Sequence, residues 1–243
     1  MDGNLKINIK AFRAIDDLDF CETYIDGHRR ILDAYGVSKV TSASTDWKYD
    51  PSTYIIIIYD SNDTAKIYGG ARIQVRTETL KMPMEGAIAI LDKNIYNYVD
   101  QYGNYNVAEF CGLWNSIEVS GYGIGSMLLG RIGVAISNQL NLQCLMALCS
   151  PATLRNCIKL GFEKIEELGN KGTFYYPKED LIATALIIKD IRNLPTADPF
   201  TRDAIMNLRN NPVQFAVETG PKGQMEIQYD ITIDVKTNEN QNS

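Results

Sequence analysis

The sequence predicts an α/β (α+β) fold, in which strands and helices are interspersed along the chain. Stretches of strand length with apolar or alternating residues are separated by amphipathic stretches with helical spacing. In addition, a glycine-rich turn leads from one such strand directly into one such helix. The predicted order is β-α-β-β-α-β, then the glycine turn, then α-β-α-β-β.

The first half of the chain is predicted to contain three strands, two helices and a long loop. Acidic residues crowd the start of the first helix, where they complement the helix dipole, and Gly36 ends that helix. The turn residues 60–63 join two β-rich stretches, which predicts a hairpin. The strands are predicted at 6–12, 54–59 and 67–75, the helices at 16–35 and 88–98, and the loop at 38–50.

The second half is predicted to complete the sheet and to add an appendage. Its strands are predicted at 107–118, 142–149, 163–168 and 181–188, its helices at 127–140, 152–160 and 201–209, and a last hairpin at 213–218 and 225–233. Pro195 and Pro199 separate the appendage from the rest. We therefore expect a main domain of residues 1–190, a C-terminal helix-plus-hairpin extension of residues 191–235 and a disordered polar tail of residues 236–243.

Composition and charge argue against several classes of protein. The net charge is −6 and the chain has no basic stripe, so we expect no nucleic-acid partner. The longest apolar runs have only the length of a strand, so no membrane span is predicted. The first residues carry no basic region followed by an apolar one, so we expect no secretory signal and a cytoplasmic protein.

Residues that commonly bind metals are few. The sequence has five cysteines, an odd number without a Cys-x-x-Cys pair, and one histidine. We therefore expect neither a disulfide framework nor a metal site. His28 is followed directly by Arg29 and Arg30, and we expect it on the protein surface.

The most informative segment is the glycine turn between the fourth strand and the next helix. Glycines at alternate positions let the backbone turn tightly and approach a ligand closely. The N–H groups at the start of the helix, together with the helix dipole, favour a phosphate or diphosphate there. The turn comprises Ser120, Gly121, Tyr122, Gly123, Ile124, Gly125 and Ser126.

Three kinds of nucleotide-binding loop and a plain connecting turn compete as explanations of this segment. A Walker-type phosphate loop is excluded because no lysine follows Gly125. A dinucleotide fingerprint is excluded because the glycine spacing is wrong and no βαβ unit opens the chain. An acyl-CoA loop and a turn that merely connects strand to helix both stay open.

The turn resembles the acyl-CoA loop of the GCN5-related N-acetyltransferase superfamily, Gln/Arg-x-x-Gly-x-Gly/Ala. Gly123 and Gly125 match its two small positions, whereas Ser120 stands where Gln or Arg is usual. Residues 156–162 resemble the later Leu-Gly-Phe motif of that superfamily. The resemblance implies a mixed, mostly antiparallel twisted sheet flanked by helices, with a gap beside the fourth strand for the pantetheine arm.

The first half also resembles a narrower branch, the acyl-homoserine-lactone synthases and N-acyl amino acid synthases. Residues 28–37 resemble the Arg-rich helix of that branch, residues 46–56 its paired acids ahead of a strand, and residues 69–73 its Gly-x-x-Arg-Leu strand. Glu109 matches the glutamate of its Glu-x-x-Arg signature, but Gly112 stands in place of the arginine.

The resemblance implies acetyl-CoA or acyl-CoA as co-substrate, bound around the glycine turn. Residues 120–126 are expected to hold the diphosphate, with Asn156 from the later motif beside them. A backbone N–H of Leu113 or Trp114, where the fourth strand lies apart from its neighbour, is expected to polarise the thioester carbonyl.

The candidate catalytic residues are Glu109, Arg72 and Tyr176. Glu109 is a candidate base, because burial in an apolar strand raises the pKa of a carboxylate; the alternative is a solvent-facing carboxylate paired with Arg72. Arg72 is expected to bind an acceptor carboxylate, or merely to pair with Glu109. Tyr176 is a candidate proton donor to the leaving thiolate; the alternative is an aromatic residue packed on the sheet.

Arg29, Asp46 and Asp50 are the candidates for binding the amine acceptor, with a solvated loop as the alternative for the two acids. Together the candidates predict an N-acyltransferase that moves an acyl group from acyl-CoA or acyl carrier protein to a small primary amine such as an amino acid. One alternative is an acyl-CoA-binding sensor without catalysis, and another is an interaction role for residues 195–235. We expect a monomer or a homodimer.

Overall fold

The computed structural model describes residues 4–37 and 40–234 and confirms the predicted fold class. The predicted tail, 236–243, and residues 38–39 of the predicted loop lie outside the described residues. The strands are β1 (Leu5–Arg13), β2 (Thr53–Asp60), β3 (Ile67–Val75), β4 (Val107–Asn115), β5 (Cys144–Cys149), β6 (Glu163–Lys164), β7 (Thr173–Tyr175), β8 (Ile182–Ile188), β9 (Val213–Gly220) and β10 (Gly223–Asp230). The helices are α1 (Leu18–Ala34), α2 (Pro83–Ala89), α3 (Asn94–Asp100), α4 (Gly130–Gln139), α5 (Pro151–Lys159) and α6 (Pro199–Asn210).

The strands form a single sheet, which is mixed and mostly antiparallel as the resemblance implied. Its order is β6-β8-β5-β4-β3-β2-β1-β10-β9, and β7 pairs with β8 beside this path. Within the described part of the chain, only the ladders β4–β5 and β1–β10 are parallel. The β4–β5 ladder is the one that matters for the site.

Strand β2 shows how the sequence builds two cores on one sheet. Its central run, Ile55–Ile58, is fully buried. Because side chains alternate along a strand, Ile55 and Ile57 pack with residues of α1, whereas Ile56 and Ile58 pack with residues of α4. Each such buried side chain contributes about 2 kcal/mol of hydrophobic stabilisation. The sheet is therefore covered on both faces at its centre.

The predicted helix at 88–98 is wrong in detail, because the segment forms two short helices. Pro83 begins α2 in the first helical turn, where its missing N–H costs nothing. The carboxylate of Asp92 then accepts hydrogen bonds from Asn94 N at 3.0 Å and from Gly169 N at 2.8 Å. Asp92 thereby separates α2 from α3 and ties the break to a distant loop.

The predicted strand at 163–168 is also only partly present. Only Glu163 and Lys164 of this segment pair with β8, and they form β6. The other half of β8 pairs with β7. Between them the chain turns through Gly169 and Gly172, both with positive φ. Sequence reasoning missed β7.

The C-terminal residues 191–234 extend the same sheet. β10 pairs in parallel with β1, and β9 forms the outer edge. The side chain of Gln139, at the end of α4, donates to Ile231 O and accepts from Ile233 N, both at 2.9 Å. The division of the chain at residue 190 stays a prediction, but the extension packs directly on the helix that follows the glycine turn.

Two chemical features of the described residues bear on function. Across residues 4–37 and 40–234, no helix combines the length and the apolar character that crossing a membrane requires. All five cysteines are buried and unpaired.

Candidate active site

The glycine turn has a backbone that only glycine adopts readily. Gly121 and Gly123 have φ values of 89° and 88°, in the left-handed region. Gly125 has φ −52° and ψ −130°, which lies outside the helical region although the helical segment has already begun. A Cβ atom placed on Gly123 meets no atom within 4 Å, so this residue borders open space.

The helix after the turn begins at a kink, because Gly125 among its first residues has non-helical dihedral angles. Residues Ile124–Leu129 form a π-helical turn that continues into α4. The first N–H groups of such a segment have no partner within the helix. The segment therefore offers backbone donors and a positive dipole end beside the open space at Gly123.

Asn156 connects this turn to α5. Its side-chain Nδ2 donates a hydrogen bond of 2.7 Å to the Oγ of Ser126. Both side chains are half-buried. The structure thus brings together the two sequence segments, residues 120–126 and Asn156, that were predicted to bind the acyl donor.

Strands β4 and β5 pair over only three residues each. The last pair is Glu109 opposite Met146, and the rest of β4 pairs with β3 alone. Leu113 and Trp114, the candidates for polarising a thioester carbonyl, lie in this unshared part. Asn115 at the end of β4 reaches the glycine turn, since its Oδ1 lies 3.0 Å from the position of a Cβ on Gly125. β4 therefore runs from Glu109 to the turn along an open side.

Gly112 explains why the arginine of the Glu-x-x-Arg signature is missing. Its φ of 58° lies in the left-handed region, and the register between β3 and β4 shifts at this point. The hydroxyl of Tyr24 donates a 2.7 Å hydrogen bond to Gly112 O. A Cβ at this position would lie 2.2 Å from the Tyr24 oxygen, so a larger residue does not fit.

Glu109 is buried, and its carboxylate accepts a 2.7 Å hydrogen bond from Met84 N. Burial raises the pKa of Glu109 to about 7. This effect is larger than that of the Met84 hydrogen bond and the charge of Arg72, both of which lower the pKa. The carboxyl group is therefore close to half-ionised at neutral pH. This is the range in which a side chain exchanges protons most usefully.

Helix α2 is what holds the Met84 amide in place. Glu85, fully buried in this helix, forms an ion pair with Arg76 at 3.2 Å and accepts from Met82 N at 2.8 Å. Arg76 also reaches Asp100 at 2.6 Å. The network fixes α2 against the end of β3, directly beside Glu109.

Arg72 is a fully buried side chain whose hydrogen bonds are incomplete. Its Nε donates to the sulfur of Cys111 at 3.4 Å, while both terminal nitrogens are buried without a partner. No ion pair with Glu109 forms within the described chain, although the two residues lie on adjacent strands. An unpartnered buried guanidinium is costly. Its terminal nitrogens are suited to an anionic or carbonyl oxygen of a ligand.

A cavity of about 260 Å³ lies between α1 and residues 42–47, and Arg72 is not among the residues that line it. Its wall includes Tyr24, His28 and Trp47, and the Trp47 ring also stacks on Arg72. The expected surface position of His28 is wrong, because the side chain is only 8% exposed. Burial, reinforced by the charge of Arg72, lowers its pKa to about 4, so the imidazole is neutral at pH 7.

The helical period explains the error at His28. The buried face of α1 contains Cys21, Tyr24, Ile25 and His28, spaced three or four residues apart. Arg29 and Arg30 project from the exposed face. Proximity in sequence to two arginines was therefore a misleading indication of exposure.

The other predicted residues have partners other than Glu109 and Arg72. Arg29 lines the cavity but pairs with Asp26 on its own helix. Asp46 accepts from Ser44 Oγ at 3.1 Å, and Asp50 accepts from Ser52 N at 2.8 Å, so both carboxylates stabilise local turns. The hydroxyl of Tyr176 accepts from Thr41 N at 2.7 Å. Their roles in binding or catalysis stay predictions.

Three contributors to the site escaped the sequence analysis. Tyr24 and Trp47 flank Arg72, and the backbone N–H of Met84 bonds Glu109. Tyr24 could have been found from its helical spacing to His28, within the helix that resembles the Arg-rich helix. No sequence signal identifies the Met84 amide, because any residue except proline supplies one.

Neither a protein-family model nor a curated protein matches the sequence, but solved structures match the fold. FeeM, an N-acyl amino acid synthase from uncultured soil microbes, superposes with a TM-score of 0.59 at 14% identity, over 81% of this chain and 97% of FeeM. BjaI, a CoA-dependent acyl-homoserine lactone synthase solved with SAM and isopentyl-CoA, superposes with a TM-score of 0.55 at 10% identity, over 93% of this chain and 92% of BjaI. MesI, another CoA-dependent acyl-homoserine lactone synthase, superposes with a TM-score of 0.53 at 15% identity, over 82% of this chain and 95% of MesI. The chain therefore has the GCN5-related N-acetyltransferase-like fold that these acyl-homoserine lactone and N-acyl amino acid synthases share.

Proposed function

We propose that the protein is an N-acyltransferase that moves an acyl group from a thioester donor to the amine of a small acceptor such as an amino acid. One observation carries the proposal: Glu109 lies where β4 parts from β5, and the other end of β4 lies against the glycine turn. A donor held at the turn and extended along β4 would bring its thioester towards Glu109. The acceptor would approach from the side of Arg72.

The donor is acetyl-CoA or acyl-CoA, or an acyl carrier protein that presents the same pantetheine arm. Backbone N–H groups of Ile124, Gly125 and Ser126 are the donors available to a diphosphate. The N–H of Leu113 or Trp114, on the open side of β4, is proposed to polarise the thioester carbonyl. These groups bind and activate the donor without any charged side chain in the turn itself.

On the acceptor side, the ionised form of Glu109 takes a proton from the ammonium group of the acceptor. The freed amine attacks the thioester carbonyl carbon, so a C–N bond forms and the C–S bond breaks. The thiolate that leaves takes up a proton, for which Tyr176 is the proposed donor, and the second proton that the nitrogen loses as the amide forms returns to Tyr176 through solvent. Arg72 binds the acceptor carboxylate with its two free nitrogens, which orients the amine.

The comparisons support the donor and acceptor classes. FeeM is an N-acyl amino acid synthase, and BjaI is CoA-dependent and was solved with isopentyl-CoA. A sensor that binds acyl-CoA without turnover is the second candidate. It is favoured by Gly112, which leaves the site without the arginine of the signature.

A two-part experiment tests the proposal. Thermal unfolding is followed during titration with CoA and acyl-CoA, since a ligand at 100 times its Kd stabilises a protein by about 2.7 kcal/mol. Free thiol release from acyl-CoA is then measured with a panel of amino acids, for the wild type and Glu109→Gln. We expect stabilisation and thiol release that depends on Glu109. Stabilisation without release on any amine would support the sensor, and no stabilisation would contradict both.

A further inference from the structure

The tip of the C-terminal hairpin β9–β10 packs on the glycine turn. Lys222 N donates a 3.1 Å hydrogen bond to Gly121 O. The contact at Gly220 is so close that a Cβ there would lie 2.2 Å from Tyr122 O. Gly220 therefore allows the two backbones to touch, which fixes the tip of the hairpin beside the turn.

Further contacts hold the hairpin along the helix that the turn begins. Arg131, in the first turn of α4, forms an ion pair with Glu218 of β9. Glu218 also accepts a 2.9 Å hydrogen bond from the hydroxyl of Tyr229 in β10. The hairpin is thus attached to both the turn and α4, and the ion pair leaves Arg131 already neutralised.

The side chain of Lys222 lies over Gly121. Its Cγ, Cδ and Cε atoms lie 2.9–3.2 Å from the position of a Cβ on this glycine, so the methylene chain is in close contact with Gly121. The residue is exposed, and its ammonium group forms no ion pair or hydrogen bond with the rest of the described chain. None of residues 120–126 carries a charge. Lys222 is consequently a free cation beside a turn of uncharged donors.

We infer that Lys222 contributes a positive charge to the diphosphate end of the donor site, and that the C-terminal extension serves to hold it there. The inference rests on the proposed function, because it takes the glycine turn as the diphosphate site. The exposed ammonium group of Lys222 would attract the anionic diphosphate electrostatically. This attraction weakens as the salt concentration rises. Lys222 is assigned no contact with the pantetheine and acyl portions of the donor.

The test compares Lys222→Ala and Lys222→Arg with Lys189→Ala, which removes an exposed lysine at the far end of β8. Calorimetric titration at low salt measures the affinity for CoA, and competition measures the affinity for acyl-pantetheine, which lacks the diphosphate. We expect Lys222→Ala to weaken CoA binding about three- to fivefold, with the difference shrinking as salt is added. Lys222→Arg and Lys189→Ala should bind as the wild type does, and acyl-pantetheine should bind all four proteins equally.

The outcomes separate this inference from the proposed function. Equal CoA affinity of the wild type and Lys222→Ala at low salt would overturn the role of Lys222. It would leave the proposed function standing. An equal loss of acyl-pantetheine affinity in Lys222→Ala would also overturn the role of Lys222, because the variant would then have altered the site as a whole. Failure of the wild type to bind CoA at all would contradict the proposed function itself.

Discussion

The guanidinium carbon of Arg72 lies 4.3 Å from the centre of the Trp47 ring, in a cation–π contact that leaves both terminal nitrogens without a protein partner. The Trp47 ring also contacts that of Tyr24, and both rings line the cavity between α1 and residues 42–47. The protein thus stabilises the flat face of the guanidinium, while the nitrogens at its edge lack a partner among the described residues. We propose that these nitrogens bind the acceptor carboxylate.

We expect Arg72→Met to lower acceptor affinity without lowering stability. Methionine has a similar length and no charge, and replacing a buried, unpartnered charge by an apolar side chain is often neutral or stabilising. The KM for a carboxylate-bearing amine should rise at least about tenfold, because the variant loses a hydrogen bond between charged groups. The matching amine without its carboxylate should react equally well with both proteins. A loss of more than about 3 kcal/mol in unfolding free energy would instead indicate a structural role.

The reaction rate should rise with pH through the pKa of Glu109, which is about 7. Only the ionised carboxylate accepts a proton, so kcat/KM should fall below this pH in the wild type. Glu109→Gln should be slow at all pH values and should lack this limb, while its CoA affinity stays unchanged. A wild-type profile that is superimposable on that of Glu109→Gln would remove Glu109 from the mechanism.

The same carboxyl group should make stability depend on pH in the opposite sense. Its pKa is raised from about 4.5 in the unfolded chain to about 7 in the folded one, so the folded state retains a proton that the unfolded state has lost. The stability that this provides is complete below pH 4.5 and is lost as the pH rises to about 7. It amounts to about 3 kcal/mol. Denaturation of wild type and Glu109→Gln across this range should show the difference, and parallel curves would contradict the buried position of Glu109.

Local features of the site could be predicted because they depend on residue type alone. A turn with positive φ at two positions needs glycine, and Gly121 and Gly123 are visible as such in the sequence. The apolar run at 54–59 likewise predicts a strand, which the structure shows as β2. These features place the turn after the fourth strand correctly.

Other features depend on contacts between distant residues. The burial of His28 requires knowing which face of α1 meets the sheet, and the hydrogen bond from Lys222 to Gly121 joins segments 101 residues apart. The break between α2 and α3 depends on Asp92 and a loop near Gly169. No local sequence pattern identifies the partners in these contacts. The contacts are set by tertiary packing, so they could not be predicted from the sequence.

Gly123→Ala should abolish or strongly weaken CoA binding, and Gly103→Ala is its matched control. Both glycines have positive φ, 88° and 70°, and in neither case does a Cβ meet an atom closer than 3.6 Å. Each substitution should therefore cost about 1–2 kcal/mol of stability through backbone strain alone. Only the methyl group at Gly123 projects into the open space of the proposed diphosphate site. Equal CoA affinity in both variants would count against the turn as the donor site.

The hydrogen bond between Asn156 and Ser126 should couple α5 to the donor site. Asn156→Ala and Ser126→Ala each remove this 2.7 Å contact, so each should weaken CoA binding, and the double variant should be little worse than either single one. The coupling energy expected for such a bond is about 1 kcal/mol. Lys159→Ala, an exposed change on the same helix, should have no effect. A shared hydrogen bond can be broken only once, so strictly additive losses would mean that the two side chains contact the donor independently. A loss of CoA affinity in Asn156→Ala alone would mean that Ser126 takes no part.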